Sequence, residues 1–237
     1  MNAGSLCTLV GAACMALAGL SEAQAASLRI TDTINSNTLI ISDNDGADLN
    51  PTVGVISFSG PLNASWQIGS ATLFFDPFLT TPTQRGIDLS AAVSGTGSLV
   101  IRGESPLLSH GSFTQTYGWR HAVGGTSEGE ASFLSRLASY IDFPPVGPGS
   151  TVFSTLNSGP FIGAAGGTPF ADLQTGTWTA FGGKPFELAT TAFIDHNSDQ
   201  ITSFNVETTA VVPVPAALPL FATALGLLTL MRRRGQP

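Results

Sequence analysis

The sequence predicts an all-β fold, an antiparallel β-sandwich or jelly roll forming a single domain with one short helix. Three observations lead there. Apolar residues alternate with polar ones in short runs, the period of a half-buried strand. The runs are broken by turn-forming residues, with 27 glycines and 15 prolines among 237 residues. Helix-favouring charged residues are scarce: only 11% of the chain is charged, against about a quarter in a typical soluble domain, and Lys184 is the only lysine. Strands and helices do not alternate, which argues against a doubly wound sheet. The 43% apolar content argues against disorder. A net charge of −7, with the only basic run at the extreme C-terminus, argues against a nucleic-acid partner.

The predicted strands follow in order. Leu28 and Ile30 share a face, Asn35-Ser36-Asn37 marks a turn, and Leu39-Ile40-Ile41 resumes. After a polar loop over 42–51, Val53–Ser59 places Ile56 and Phe58 on one face. Trp66 with Ile68, Leu99 with Ile101, and Tyr117 with Trp119 continue the alternation. One segment departs from it. Residues 127–141 put Phe133, Leu134, Leu137 and Ile141 on a helical stripe, Ser127 and Glu130 read as a capping box, and Pro144-Pro145 end the run, so a short helix is expected. Beyond it, Phe186, Leu188, Ala192 and Ile194 share a face, as do Phe204 and Val206, with a hairpin expected around 195–199. No internal repeat is visible, and the sequence divides into 1–25, a single domain over 26–209, and 210–237.

The first and last segments read as addresses. Residues 6–20 form an apolar run of signal-peptide length, and Ala23-Gln24-Ala25 is an A-x-A site, so signal peptidase is expected to cut after Ala25. The stretch before the run lacks Lys and Arg, a departure from the usual pattern. A lipoprotein signal at Cys14 is the alternative, but Gly11 stands where a leucine is usual. Cys7 and Cys14 both fall in this segment, so the exported body would hold no disulfide and depend on its core.

At the other end, residues 216–231 are apolar and uncharged, and Arg232, Arg233 and Arg234 follow at once. A helix of about 20 residues crosses the hydrocarbon layer, and the positive-inside rule keeps the arginines cytoplasmic. The body would then lie outside, tethered to the inner membrane. The plain reading is a simple anchor. The sharper one starts from Val212-Pro213-Val214-Pro215-Ala216, which precedes the apolar helix and the arginines. Prolines 213, 215 and 219 hold this stretch extended and out of the helix, within reach of a protease.

Motif, helix and basic stop together resemble the C-terminal sorting domain of the PEP-CTERM class, in its Val-Pro-Leu-Pro-Ala variant, with Val214 in place of the leucine. The residues from Ile41 through Asp43, Asn44, Asp45, Gly46 and Asp48 to Gly60, with Trp66, resemble the N-terminal region of other exported proteins with this tail. The resemblance implies transient inner-membrane anchoring and cleavage near Pro213–Ala216 by an exosortase-type protease. It also implies release to the surface or matrix of a Gram-negative cell, with a biofilm role and exopolysaccharide as a possible partner.

Candidate chemistry in the body is sparse. Gly125-Thr126-Ser127-Glu128-Gly129 fits the G-x-S-x-G nucleophile elbow, but no buried strand is expected before it. His110, His121 and His196 lack the spacing of a metal site. Asp43, Asp45 and Asp48 around Gly46 are calcium candidates, as are Asp195, Asn197 and Asp199, though neither loop follows the EF-hand order and both suit turns. Trp66, Trp119 and Trp178 could form a sugar platform if exposed, though core positions suit them better. The expectation is a non-enzymatic surface or matrix protein, structural or adhesive, with no resident cofactor. A carbohydrate-binding module, which needs an exposed tryptophan, and a secreted hydrolase, which needs converging His and Asp or Ser, are the alternatives.

Overall fold

Two long strands organise the sheet. In the computed structural model, which describes residues 26–76, 84–106, 115–139, 151–180 and 186–211, these are β5 (Gln84–Glu104) and β10 (Phe186–Val211). They pair antiparallel from Ala189↔Glu104 to Val211↔Gln84. The other strands are β1 (Ser27–Asp32), β2 (Asn37–Ser42), β3 (Val55–Pro61), β4 (Trp66–Asp76), β6 (Gln115–Ser127), β7 (Glu130–Ser139), β8 (Thr151–Ile162) and β9 (Thr168–Ala180). All ten belong to one antiparallel sheet.

That single sheet doubles over on itself. At 26 residues and ~3.3 Å per residue, β10 would run to roughly 85 Å if straight; instead its register with β5 shifts between His196 and Gln200. Beyond the shift both strands change neighbours. Residues 99–104 of β5 pair with β1, and residues 186–195 of β10 with β7. Residues 86–95 of β5 pair with β4, and residues 202–211 of β10 with β6. One layer therefore runs β2-β1-β5-β10-β7-β8 and the other β3-β4-β5-β10-β6-β9, with β5 and β10 common to both. Strands that switch layers at a bulge form the corners of a sandwich.

The layers meet through large apolar side chains. Phe133 of β7 lies 5.2 Å from Phe204 of β10 and 5.5 Å from Phe170 of β9, centroid to centroid. Trp178 of β9 lies 5.0 Å from Phe186 of β10. Leu73 of β4 presses so closely on β5 that a Cβ at Gly103 would come within 2.3 Å of its Cδ1. Period-two burial is clean in β5, where Ile87, Leu89, Ala91 and Val93 face inward, as the alternation expects.

Two expectations are corrected. No helix occurs among the described residues, and the segment expected as helix is strand: β6 ends at Ser127, a bend takes residues 128–129, and Glu130 opens β7. Inward positions here are Ala131, Phe133 and Ser135, at period two. Leu134, another member of the supposed helical stripe, lies on the outer face. β7 is hydrogen-bonded by β10 on one side and β8 on the other, and that pairing outweighs the local pattern. Ser127 and Glu130 are thus no capping box; Ile141 and Pro144-Pro145 lie outside the described residues. The hairpin expected around 195–199 is also not formed. Residues 197–199 form the bulge of a strand that continues, with Asp195 and His196 still in register with β5.

Candidate functional site

The corner of the sandwich gathers several residues singled out from sequence. β6 turns into β7 at 127–130 opposite the β10 bulge, so Ser127, Gly129, His196 and Thr202 come together. His196 Nδ1 contacts the Gly95 carbonyl at 3.0 Å and so donates to it. Its Nε2 lies 2.8 Å from Thr202 Oγ1, which lies 2.6 Å from Ser127 Oγ. Ser127 Oγ donates to the Gly129 carbonyl at 3.0 Å, and the indole of Trp66 covers the imidazole at 5.1 Å. Glu128 ties the outside of the corner, its carboxylate accepting from the amides of Ile201 and Gly166.

The G-x-S-x-G match is therefore a sheet corner. Ser127, Thr202 and His196 are all buried, Thr202 stands between serine and histidine, and no carboxylate hydrogen-bonds the ring among the described residues. The geometry of a nucleophile elbow, with an exposed serine Oγ at a strand-to-helix turn, is not formed. Burial lowers the His196 pKa, opposed by the Gly95 carbonyl and the nearby carboxylates Glu128, Asp195 and Asp199.

His121 belongs to a separate network. Its Nδ1 lies 2.6 Å from Ser135 Oγ, which also contacts Thr190 at 3.1 Å and Thr208; Thr190 and Thr208 are 2.8 Å apart. Its Nε2 is buried without a partner among the described residues. Burial pushes the imidazole down to about 4, against a small opposing pull from Asp172, so the ring is neutral near pH 7. Thr202 and Thr208 are separated by about 20 Å of strand at ~3.4 Å per residue, so the structure does not bring the two histidines into one constellation. His110 lies outside the described residues.

The aspartates of the first loop are used by the backbone. Asp45 accepts from the amides of Ser42, Ala47 and Asp48, and Asp48 from those of Asn44, Asn50 and Ser57. Asp43 accepts from the amide of Gly54. The Ser42 amide is the main reason that the Asp45 carboxyl titrates below its ordinary range. These carboxylates organise the loop between β2 and β3 as Asx turns, and among the described residues no group of three or more His, Cys, Asp or Glu could hold a metal ion.

All three tryptophans are core residues: Trp66 is 1% exposed, Trp119 2% and Trp178 4%. The tryptophan platform that a sugar-binding surface would use is not formed. Ala23 and Ala25, expected at the signal-peptidase site, the expected sorting motif Val212–Ala216 and the arginines 232–234 lie outside the described residues.

Sequence reasoning missed a groove of about 260 Å³ on the outer face of the β1-β5-β10-β7 layer. Arg29, Arg102 and Arg136 line it, with Thr31, Thr191 and Phe193. Register explains the gathering. Arg29 pairs directly across from Arg102, Arg102 across from Thr191, and Arg136 with Ala189, two residues before Thr191 on the same face. The signal was present in part: Arg29 sits between buried Leu28 and Ile30, and Arg102 beside buried Ile101, so each points outward. What the sequence could not supply was which strands are neighbours.

No family model matches the chain, and no curated protein matches it significantly. Among solved structures, the chain is similar to TmCBM61 in complex with β-1,4-galactotriose, at 6% identity over 69% of this chain and 90% of that one, with a TM-score of 0.25. It is also similar to an Arthrobacter globiformis T6 isomalto-dextranase complexed with panose, at 13% identity over 80% of this chain but only 30% of the enzyme, with a TM-score of 0.23. Likenesses this slight say nothing about the chemistry of this chain.

Proposed function

We propose that this chain is an exported surface or matrix protein whose β-sandwich body is delivered by two cleavages. Signal peptidase cuts after Ala25, and an exosortase-type membrane protease cuts within Val212–Ala216, freeing the body from a transient inner-membrane tether. One observation supports the reading above others: β10 is paired with both β5 and β6 up to Val211, next to the motif. Both expected cuts lie outside the strands of the described residues. β10, the strand next to the motif, is held between β5 and β6 up to Val211 itself, so the body stays whole once the tail is gone.

On this reading the body acts as a structural or adhesive component among exopolysaccharides, with no catalytic step. Intact mass of the protein recovered from its native host tests it. The expected species begins at Ala26 and ends within 213–216, with or without an attached group. A full-length chain in the cytosol, with Arg232, Arg233 and Arg234 still present, overturns it.

A further inference from the structure

We infer that the arginine groove on the outer face of the β1-β5-β10-β7 layer binds a carboxylated saccharide, its guanidinium groups taking the carboxylate and its threonine hydroxyls and Phe193 ring taking the sugar. The charge distribution is the first support. The chain carries net −7 and nine basic residues, three of them arginines at the extreme C-terminus, yet Arg29, Arg102 and Arg136 line this one groove. Arg29 and Arg102 stand directly opposite each other on neighbouring strands, where like charges repel. A bound anion between them would relieve that repulsion.

Unused donors are the second support. Arg102 Nε lies 2.6 Å from Glu104 Oε1, a close ion contact that is not aligned as a hydrogen bond, and its Nη2 is buried without a partner among the described residues. Arg136 Nε is likewise buried and, among the described residues, unpartnered. Among the described residues neither Arg29 nor Arg136 forms an ion pair. Buried donors left unpaired are costly, and a carboxylate accepts two guanidinium N–H groups side by side. Two carboxyls flank the arginines: Glu104, held by Arg102 and by the Ser27 hydroxyl at 2.9 Å, and Glu187, which burial keeps largely protonated below neutrality. Positive charge therefore remains in excess.

The rest of the lining decides what carries the carboxylate. Thr31 and Thr191 offer hydroxyls that both donate and accept, as sugar hydroxyls require. Phe193 is 38% exposed, a large apolar side chain left at the groove surface, and an aromatic face packs well on the C–H face of a pyranose. The groove is smaller than the ~300–1,000 Å³ of sites for drug-sized ligands, and suits one sugar unit of a chain that continues across the open face. The choice of a saccharide over another carboxylate rests on the export reading above; the need for a carboxylate does not.

Isothermal titration of the full-length chain in non-ionic detergent, with trigalacturonate as probe, tests the inference. Trigalacturonate is expected to bind, its fully methyl-esterified form at least about tenfold more weakly, and added salt is expected to weaken binding. Arg29→Gln, on an exposed side chain, and Arg136→Lys, which keeps the charge but loses the planar fork, should each weaken binding about tenfold with the thermal midpoint nearly unchanged. Equal affinity for the ester, no binding of trigalacturonate, or indifference to both substitutions overturns the inference. Displacement by an equal concentration of inorganic sulfate overturns its saccharide part. Trigalacturonate binding by a chain found unprocessed in its host would keep the groove and reject the export reading.

Discussion

Glu187 and His121 are expected to pull the stability of the sandwich in opposite directions as pH changes, and Glu187→Gln exposes this. Burial raises the Glu187 carboxyl from 4.5 to about 7, with Glu104 adding to the shift and Arg102 opposing it. The folded protein keeps a proton that the unfolded chain has released between those values. Its contribution is complete below pH 4.5 and is lost as pH rises through about 7. At ~1.36 kcal/mol per pH unit, the loss is about 3 kcal/mol. His121 behaves conversely. Its folded value of about 4, against 6.5 unfolded, leaves stability complete above pH 6.5 and removes about 3 kcal/mol as pH falls towards 4. Between pH 4.5 and 6.5 the two slopes offset each other. Glutamine has the shape of the protonated acid and cannot ionise. The difference in unfolding free energy between Glu187→Gln and the parent should therefore shift by about 3 kcal/mol in the variant's favour from pH 4.5 to pH 8. Urea unfolding followed by tryptophan fluorescence across that range measures it. A difference that does not change with pH would refute the assignment of a buried, uncharged carboxyl to Glu187.

Three further outcomes are expected. His121→Gln should remove the acid-side loss, making the variant's stability relative to the parent rise by about 3 kcal/mol from pH 7 to pH 4; urea titrations at the two pH values report it, and a constant offset contradicts it. Gly95→Ala should cost at least about 2 kcal/mol, since φ there is +149° and a Cβ would come within 2.1 Å of the Ser65 carbonyl; a thermal midpoint equal to the parent's would show that the corner is not tight. Phe133→Ala should cost about 3–5 kcal/mol, because its ring packs against Phe161, Phe170 and Phe204; a loss below about 1 kcal/mol in denaturant unfolding would mean that the layers do not meet there.

The sandwich was legible where one face is buried and the other is wet. Leu28 with Ile30, Leu99 with Ile101, and Phe204 with Val206 alternate as sequence reading expects, and the three tryptophans fall in the core as their strand positions suggest. Legibility failed where residues obey two periods at once. Phe133 and Leu134 are neighbours on a helical stripe but lie on opposite faces of β7, and Ser127 satisfies a capping pattern while serving a corner. The length of β10 was hidden because Asn197 and Asp199 are turn residues by composition and bulge residues by pairing. The arginine groove was hidden for another reason. Arg29, Arg102 and Arg136 are far apart along the chain, and only the antiparallel register of β1, β5, β10 and β7 makes them neighbours.

The last of the ten strands lies at the middle of both layers. Until β10 emerges, β5 lacks a partner along one whole side, and β6 and β7 have nothing to attach to on theirs. Closure of so long a loop is slow and cannot begin early. Strands β1 to β5 can pair among themselves before β10 emerges, as can β7 with β8 and β6 with β9, and β10 alone then joins these groups by hydrogen bonds into one body.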